Sequence, residues 1–152
     1  MLAINHAFSG ALLGLTVGEP WVAVPLAFLS HFAQDAVPHY DLPGDETARL
    51  RHTSFARQLV VDAVLCGILV LILALIRPKH WISAAICAFL ATSPDLMWIR
   101  KFWQTRFKAC ESTNIFPWER FHTKIQWRTG PGLWWVEAMW FVGGSFLLWL
   151  LL

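Results

Sequence analysis

Charge is scarce in this chain, and the scarcity decides its class. Only 14% of the 152 residues are Asp, Glu, Lys or Arg and 57% are hydrophobic, which excludes an ordinary soluble or disordered chain and suits one membrane domain over 1–152. A basic excess is also missing, because a net charge of +2 is too small to imply a nucleic-acid partner. Cysteine is sparse and unpaired in pattern: Cys66, Cys87 and Cys110 form no CxxC, so they read as small apolar residues rather than a thiolate site. The first apolar stretch has no basic n-region and contains His6, so it reads as a first helix and not as a signal peptide.

Long apolar runs are what the chain does have. They predict helices at about 2–18, 20–37, 55–76, 81–99 and 132–152, and hence an all-α polytopic integral membrane bundle of about five transmembrane helices. The first two are short for a span of ~20 residues. Gly18-Glu19-Pro20 and Arg77-Pro78-Lys79 read as tight turns, whereas 38–54 and 100–131 are long, polar and basic. Alternate crossings place both long links and the N-terminus on one side. That side holds ten of the twelve Lys and Arg, the other only Arg77 and Lys79. The positive-inside rule then makes the rich side cytoplasmic and puts the C-terminus outside a cell (inner) membrane. Trp21, Trp81 and Trp149 form one interfacial belt, with most other Trp residues on the opposite one. Segment 101–108 mixes bases with aromatics, which suits an interfacial stretch along lipid headgroups or an ordinary anchoring loop.

Against this apolar background, His6, His31, Asp35, Asp62, Asp95 and Glu137 fall inside or at the ends of the predicted helices, all toward the basic side. A charge in hydrocarbon costs roughly 2.5–3.5 kcal/mol on the lenient insertion scale, so each is a functional candidate. Small residues accompany several of them at helical spacing: His6 continues into Gly10, Gly14 and Gly18, Ala23 and Ala27 lead to His31 and Asp35, and Ala84, Ala88 and Ala91 lead to Asp95. Such stripes bring helices close and turn the polar groups inward. A weak duplication is also visible, Trp21 to Asp35 resembling Trp81 to Asp95, as if two hairpins each delivered polar groups to one centre.

A divalent cation compensates buried carboxylates and accepts neutral imidazole nitrogen. His31-x3-Asp35 puts two ligands on one helical face, and Pro38 ends the helix so that His39 and Asp41 can turn back toward it. Mixed His and Asp ligands suit Zn²⁺, Mn²⁺ or Fe²⁺. Three or four ligands make one metal ion and six or more allow two; a structural metal or a hydrogen-bond network is the simpler alternative. Pro117 to Trp127 reads as a short amphipathic helix stacking His122 and Gln126, with Lys124 nearby. In Arg51-His52-Thr53-Ser54, Thr53 or Ser54 is a good N-cap for the third helix. His80 lies among basic residues on the opposite side and stands outside the site.

Asn5-His6 with Gly10 and Gly14, followed by Ser30-His31-Phe32-Ala33-Gln34-Asp35-Ala36-Val37-Pro38-His39-Tyr40-Asp41, resembles small prokaryotic membrane-bound metal-dependent hydrolases. The likeness is strongest over 5–41 and extends more weakly to Ser93-Pro94-Asp95 and to 121–126. It implies metal binding at His6, His31, Asp35 and His39, with Asp62, Asp95 and His122 as additions. Where one branch of that group carries His-Arg-x-x-Thr-His-Ser, this chain has Arg51-His52-Thr53-Ser54.

These features lead to the expectation of a membrane-embedded enzyme that hydrolyses an ester or phosphoester of a lipid-like substrate at the cytoplasmic leaflet. One or two divalent ions, Zn²⁺ first, would activate water, with His6, His31, Asp35 and His39 as ligands. Asp62 and Asp95 complete the sphere or supply the base, His122 is a further catalytic candidate, and Arg51, Lys124 or Arg128 hold a phosphate. The alternatives are a proton or divalent-metal transporter, against which the outer halves Leu65–Leu75 and Phe146–Leu152 offer no polar path, and a non-catalytic protein with a structural metal.

Overall fold

A computed structural model describes residues 1–108 and 116–152, so Cys110 lies outside the described residues. Among them the fold is all-helical: α1 (Ala3–Val17), α2 (Pro20–Asp35), α3 (Glu46–Arg51), α4 (Thr53–Ile76), α5 (Trp81–Thr92), α6 (Leu96–Phe107), α7 (Pro117–Ile125) and α8 (Trp134–Leu151). Among the described residues, one isolated β-bridge joins His39 and Thr129.

Among the described residues, three elements are long and apolar enough to cross a membrane: Thr53–Ile76, Trp81–Phe107 and Pro131–Leu151. This corrects the expectation of five. The 15 residues of α1 and the 16 of α2 extend only about 22–24 Å at ~1.5 Å per residue, against a hydrocarbon core of about 30 Å. The fourth predicted helix also differs. Pro94 has no N–H to continue the ladder, so a 3₁₀ turn, Ser93–Asp95, interrupts it and the chain re-enters a helix as far as Phe107. Segment 101–108, expected at the headgroups or in an anchoring loop, thus belongs largely to α6. Its Lys101 is buried, bonded to Glu46 on α3 at 3.0 and 3.1 Å and placed over the Trp98 ring at 4.8 Å. The cap of α4 is His52, whose Nδ1 accepts from the Ser54 amide at 3.1 Å, rather than Thr53 or Ser54.

The small-residue stripes do what the sequence implies. Helix α1 packs against α2, α4, α5 and α8, with Ala11, Ala84, Ala88 and Ala91 buried along the seams. A Cβ on Gly10 would lie 2.3 Å from the Cys87 carbonyl oxygen, and one on Gly14 would lie 2.4 Å from the Ala84 Cα. These neighbours are backbone and cannot swing away. At the far end, Gly18 takes φ 73° to close α1, and a Cβ there would lie 3.0 Å from the His80 ring, well away from the polar groups. The periphery is apolar instead: Val60, Leu75, Met139 and Val142 are exposed, as lipid-facing surfaces are.

Gly14→Ala should lower unfolding stability in detergent by at least ~1 kcal/mol, the low end for overpacking. Gly67→Ala, where nothing lies within 4 Å, should be neutral or stabilising because alanine is the better helix former. Thermal unfolding of the two variants checks this, and equal midpoints would mean that the α1–α5 contact is not close.

Candidate metal centre

The end of α2 carries His31 and Asp35 one turn apart, both buried and facing α1 and α5. The Nδ1 of His31 lies 2.8 Å from the Ala91 carbonyl oxygen of α5. A carbonyl only accepts, so Nδ1 carries the proton and donates, which leaves Nε2 turned toward Asp35 Oδ2 at 3.2 Å. From α7, the fully buried His122 brings its Nε2 to 2.8 Å from His31 Nε2 and 2.8 Å from Asp35 Oδ2. The 3₁₀ turn at Pro94 delivers Asp95, whose Oδ1 is 3.9 Å from His31 Nε2 and 3.6 Å from His122 Nε2. One ligand atom from each of His31, Asp35, Asp95 and His122 lies within 4.8 Å of the others, a grouping that can hold a metal ion.

His6 and His39 approach Asp35 from its other oxygen. His6 is wholly buried on α1, stacked 4.0 Å from the His31 ring, with Nε2 3.3 Å from Asp35 Oδ1 and 3.9 Å from Asp95 Oδ2. His39 Nε2 is 3.9 Å from Asp35 Oδ1. Pro38 ends the helical path, and the next residues pair with 128–130: the His39 amide donates to Arg128 at 3.3 Å and the Gly130 amide returns a bond to His39 at 3.2 Å. Its Nδ1 donates to Val37 at 2.7 Å. Burial, with the positive Met1 amine next in weight, pushes the His39 pKa down to about 4. Its imidazole is therefore neutral at pH 7, with Nε2 a lone pair.

Two further groups reach Asp35. The Met1 amine lies 2.8 Å from Oδ1, and Gln126, at the end of α7, donates to Oδ2 at 2.9 Å. Among the described residues, the Nδ1 atoms of His6 and His122 are buried without a hydrogen-bond partner, while their Nε2 atoms face the shared carboxylates. Buried imidazole Nε2 atoms aimed at shared carboxylates fit a cation that prefers nitrogen and oxygen donors.

Not every sequence candidate converges. Asp62 accepts from the Ala3 and Ile4 amides at 3.3 and 3.4 Å, and Glu137 accepts from the Leu2 amide at 3.0 Å and from Asn5 Nδ2 at 2.7 Å. Both carboxylates thus hold the N-terminal amides of α1, where the helix dipole favours negative charge. Asp62 nevertheless lines a cavity of about 240 Å³ together with Asp95, His39 and Gln126. Arg51 and Lys124 are exposed and do not line it. Arg128 lines a different cavity, beside Val37 and Pro38. The arginine on the site cavity is Arg49 of α3, paired with Asp41. Sequence reasoning missed it because 38–54 looked like an undifferentiated basic link. The signal was Asp45, whose side chain accepts from Ala48 at 2.8 Å and caps a helix that carries Arg49. His52 caps α4 and stands outside the cluster.

No protein-family model matches this chain, and no curated protein and no solved structure is significantly similar to it. The centre therefore has to be understood from its own residues.

Protein purified in detergent should carry divalent metal, and His31→Ala, His122→Ala or Asp35→Asn should lose most of it, while His80→Ala should keep it. Elemental analysis of folded, monodisperse samples reads the outcome. Unchanged metal content in the three ligand variants would reduce the cluster to a hydrogen-bond network.

Proposed function

We propose that this chain is a membrane-embedded, divalent-metal-dependent hydrolase acting on a phosphoester, or failing that an ester, of a lipid-like amphiphile at the cytoplasmic leaflet. The observation that carries the proposal is the shape of the 240 Å³ cavity. Its walls join Asp95, His39 and Gln126 of the centre to Leu59, Ala63 and Cys66 of α4 and to Phe89, Leu96 and Ile99 of the facing helices. Phe89, Leu96 and Ile99 are exposed on the apolar periphery, so an amphiphile can enter sideways from lipid with its polar head at the carboxylates and its chain between α4 and α5.

When bound, the cation, Zn²⁺ by donor set with Mn²⁺ and Fe²⁺ as alternatives, supplies Lewis acidity to the scissile oxygen and lowers the pKa of water toward about 7. His31, Asp35, Asp95 and His122 hold it. Gln126 fixes the Asp35 carboxylate through its 2.9 Å bond. Asp62 is on the cavity wall outside the ligand grouping, which suits it to take the proton from the attacking water. Arg49 offers a planar guanidinium to an anionic headgroup. The motif likeness over residues 5–41 agrees with this reading, as does the gathering of polar groups at one end of the bundle.

In detergent, where no gradient exists, the protein should release product from a lipid phosphoester and stop on chelation. Asp62→Asn should keep its metal yet lose at least ~100-fold in turnover, the low end for removing a general base. Ala63→Trp, which fills the apolar wall, should raise KM for a long-chain substrate more than for a short-chain one. A variant pair, Asp62→Asn and Asp95→Asn, that hydrolyses normally but abolishes cation flux in sealed vesicles would replace this function with transport.

The orientation follows from the ten-to-two distribution of Lys and Arg. A cysteine at position 45 should react with an impermeant thiol reagent only from the cytoplasm and one at position 79 only from outside. Reversed labelling moves the active centre to the outer leaflet.

A further inference from the structure

Asp35 and Asp95 each direct their two oxygens to different histidine pairs. Toward His31 and His122 they present Asp35 Oδ2, at 3.2 and 2.8 Å, and Asp95 Oδ1, at 3.9 and 3.6 Å. The remaining oxygens face the other pair: Asp35 Oδ1 is 3.3 Å from His6 Nε2 and 3.9 Å from His39 Nε2, and Asp95 Oδ2 is 3.9 Å from His6 Nε2. Ligands bonded at about 2.1 Å in a tetrahedron stand roughly 3.4 Å apart, so the distances from these histidine nitrogens to the carboxylate oxygens are near those within a first coordination shell.

We infer that the centre is dinuclear, with a second divalent cation bound by His6, His39, Asp35 and Asp95, and with the two carboxylates bridging it to the first. An independent observation supports the second position. His6 is fully buried with its Nε2 turned to Asp35 and Asp95, and among the described residues its Nδ1 has no hydrogen-bond partner. A buried imidazole faced only by carboxylate oxygens at 3.3 and 3.9 Å is thinly compensated for its lost hydration, and a metal bond at Nε2 strengthens that compensation. His39 is prepared in the complementary way, since its Nδ1 proton goes to Val37 at 2.7 Å and directs the Nε2 lone pair inward. The Met1 amine, 2.8 Å from Asp35 Oδ1, gives way to the cation as the positive partner of that oxygen. Two bridging carboxylates hold cations about 3.5–4 Å apart, the spacing at which a metal pair can stabilise both the attacking and the leaving oxygen of an in-line phosphoryl displacement. The inference rests on the proposed hydrolase for its purpose, but its metal-binding claim can be measured without activity.

Metal-stripped protein in detergent should be titrated with Mn²⁺ alone and followed by elemental analysis and electron paramagnetic resonance. The wild type is expected to take up about two ions per chain and to show the exchange-coupled spectrum of a bridged pair. His6→Ala and His39→Ala should each drop to about one ion with an uncoupled spectrum, because the His31 and His122 site survives. One ion per chain in the wild type, with His6→Ala unchanged, overturns the dinuclear inference and leaves the mononuclear hydrolase standing. No bound ion at all overturns both. The wild-type stoichiometry and coupling decide the matter even if a variant fails to fold.

Discussion

Everything else in this structure is arranged around the carboxylate of Asp35. It is buried to 1% exposure at the C-terminal end of α2, in a chain whose periphery is built for hydrocarbon. The effective penalty for desolvating one ion is several kcal/mol, so such a group persists only with close compensation. Compensation arrives from four directions: the Met1 amine and His6 from α1, His31 from its own helix, His39 from the turn after Pro38, and His122 with Gln126 from α7. No single segment supplies more than a fragment of the site. The centre and the tertiary fold are therefore one requirement.

The apolar half of the molecule makes that convergence possible. Lipid gives two apolar helices little reason to associate, so contact has to come from close packing of small residues. Gly10 and Gly14 let α1 lie against the α5 backbone around Ala84 and Cys87, and this seam sets how near His6 on α1 comes to Asp95 beyond the end of α5. Asp62 and Glu137 then pin the first turn of α1 from α4 and α8. Helix α1 itself is shorter than a full span, and its polar start lies where three longer apolar elements surround it.

The parts of this account legible in the sequence are those with a fixed period. His31-x3-Asp35 on one face, Pro38 turning His39 back, and the Gly and Ala stripes all follow from helix geometry, and the structure brings His6, His31, Asp35, His39, Asp95 and His122 together. His122 was placed by a motif likeness and by its stacking with Gln126, whereas only tertiary folding shows its ring against His31. What the sequence concealed depended on non-local partners. An apolar run does not reveal whether it reaches across a bilayer, so five expected spans became three of sufficient length. Asp62 and Glu137 stood out only as ionisable groups in apolar helices, because nothing local identifies the amides they hold across 58 to 135 positions. The loop arginines were indistinguishable until α3 formed and turned Arg49 toward the cavity.

The central claim is that buried imidazoles and carboxylates form a metal centre with no thiolate. X-ray absorption at the edge of the metal bound to the wild-type protein tests it most directly. The account predicts a first shell of nitrogen and oxygen at about 2.0–2.2 Å, with the outer-shell scattering of at least two imidazoles. A sulfur shell at about 2.3 Å, or an oxygen-only shell without imidazole scattering, would contradict it.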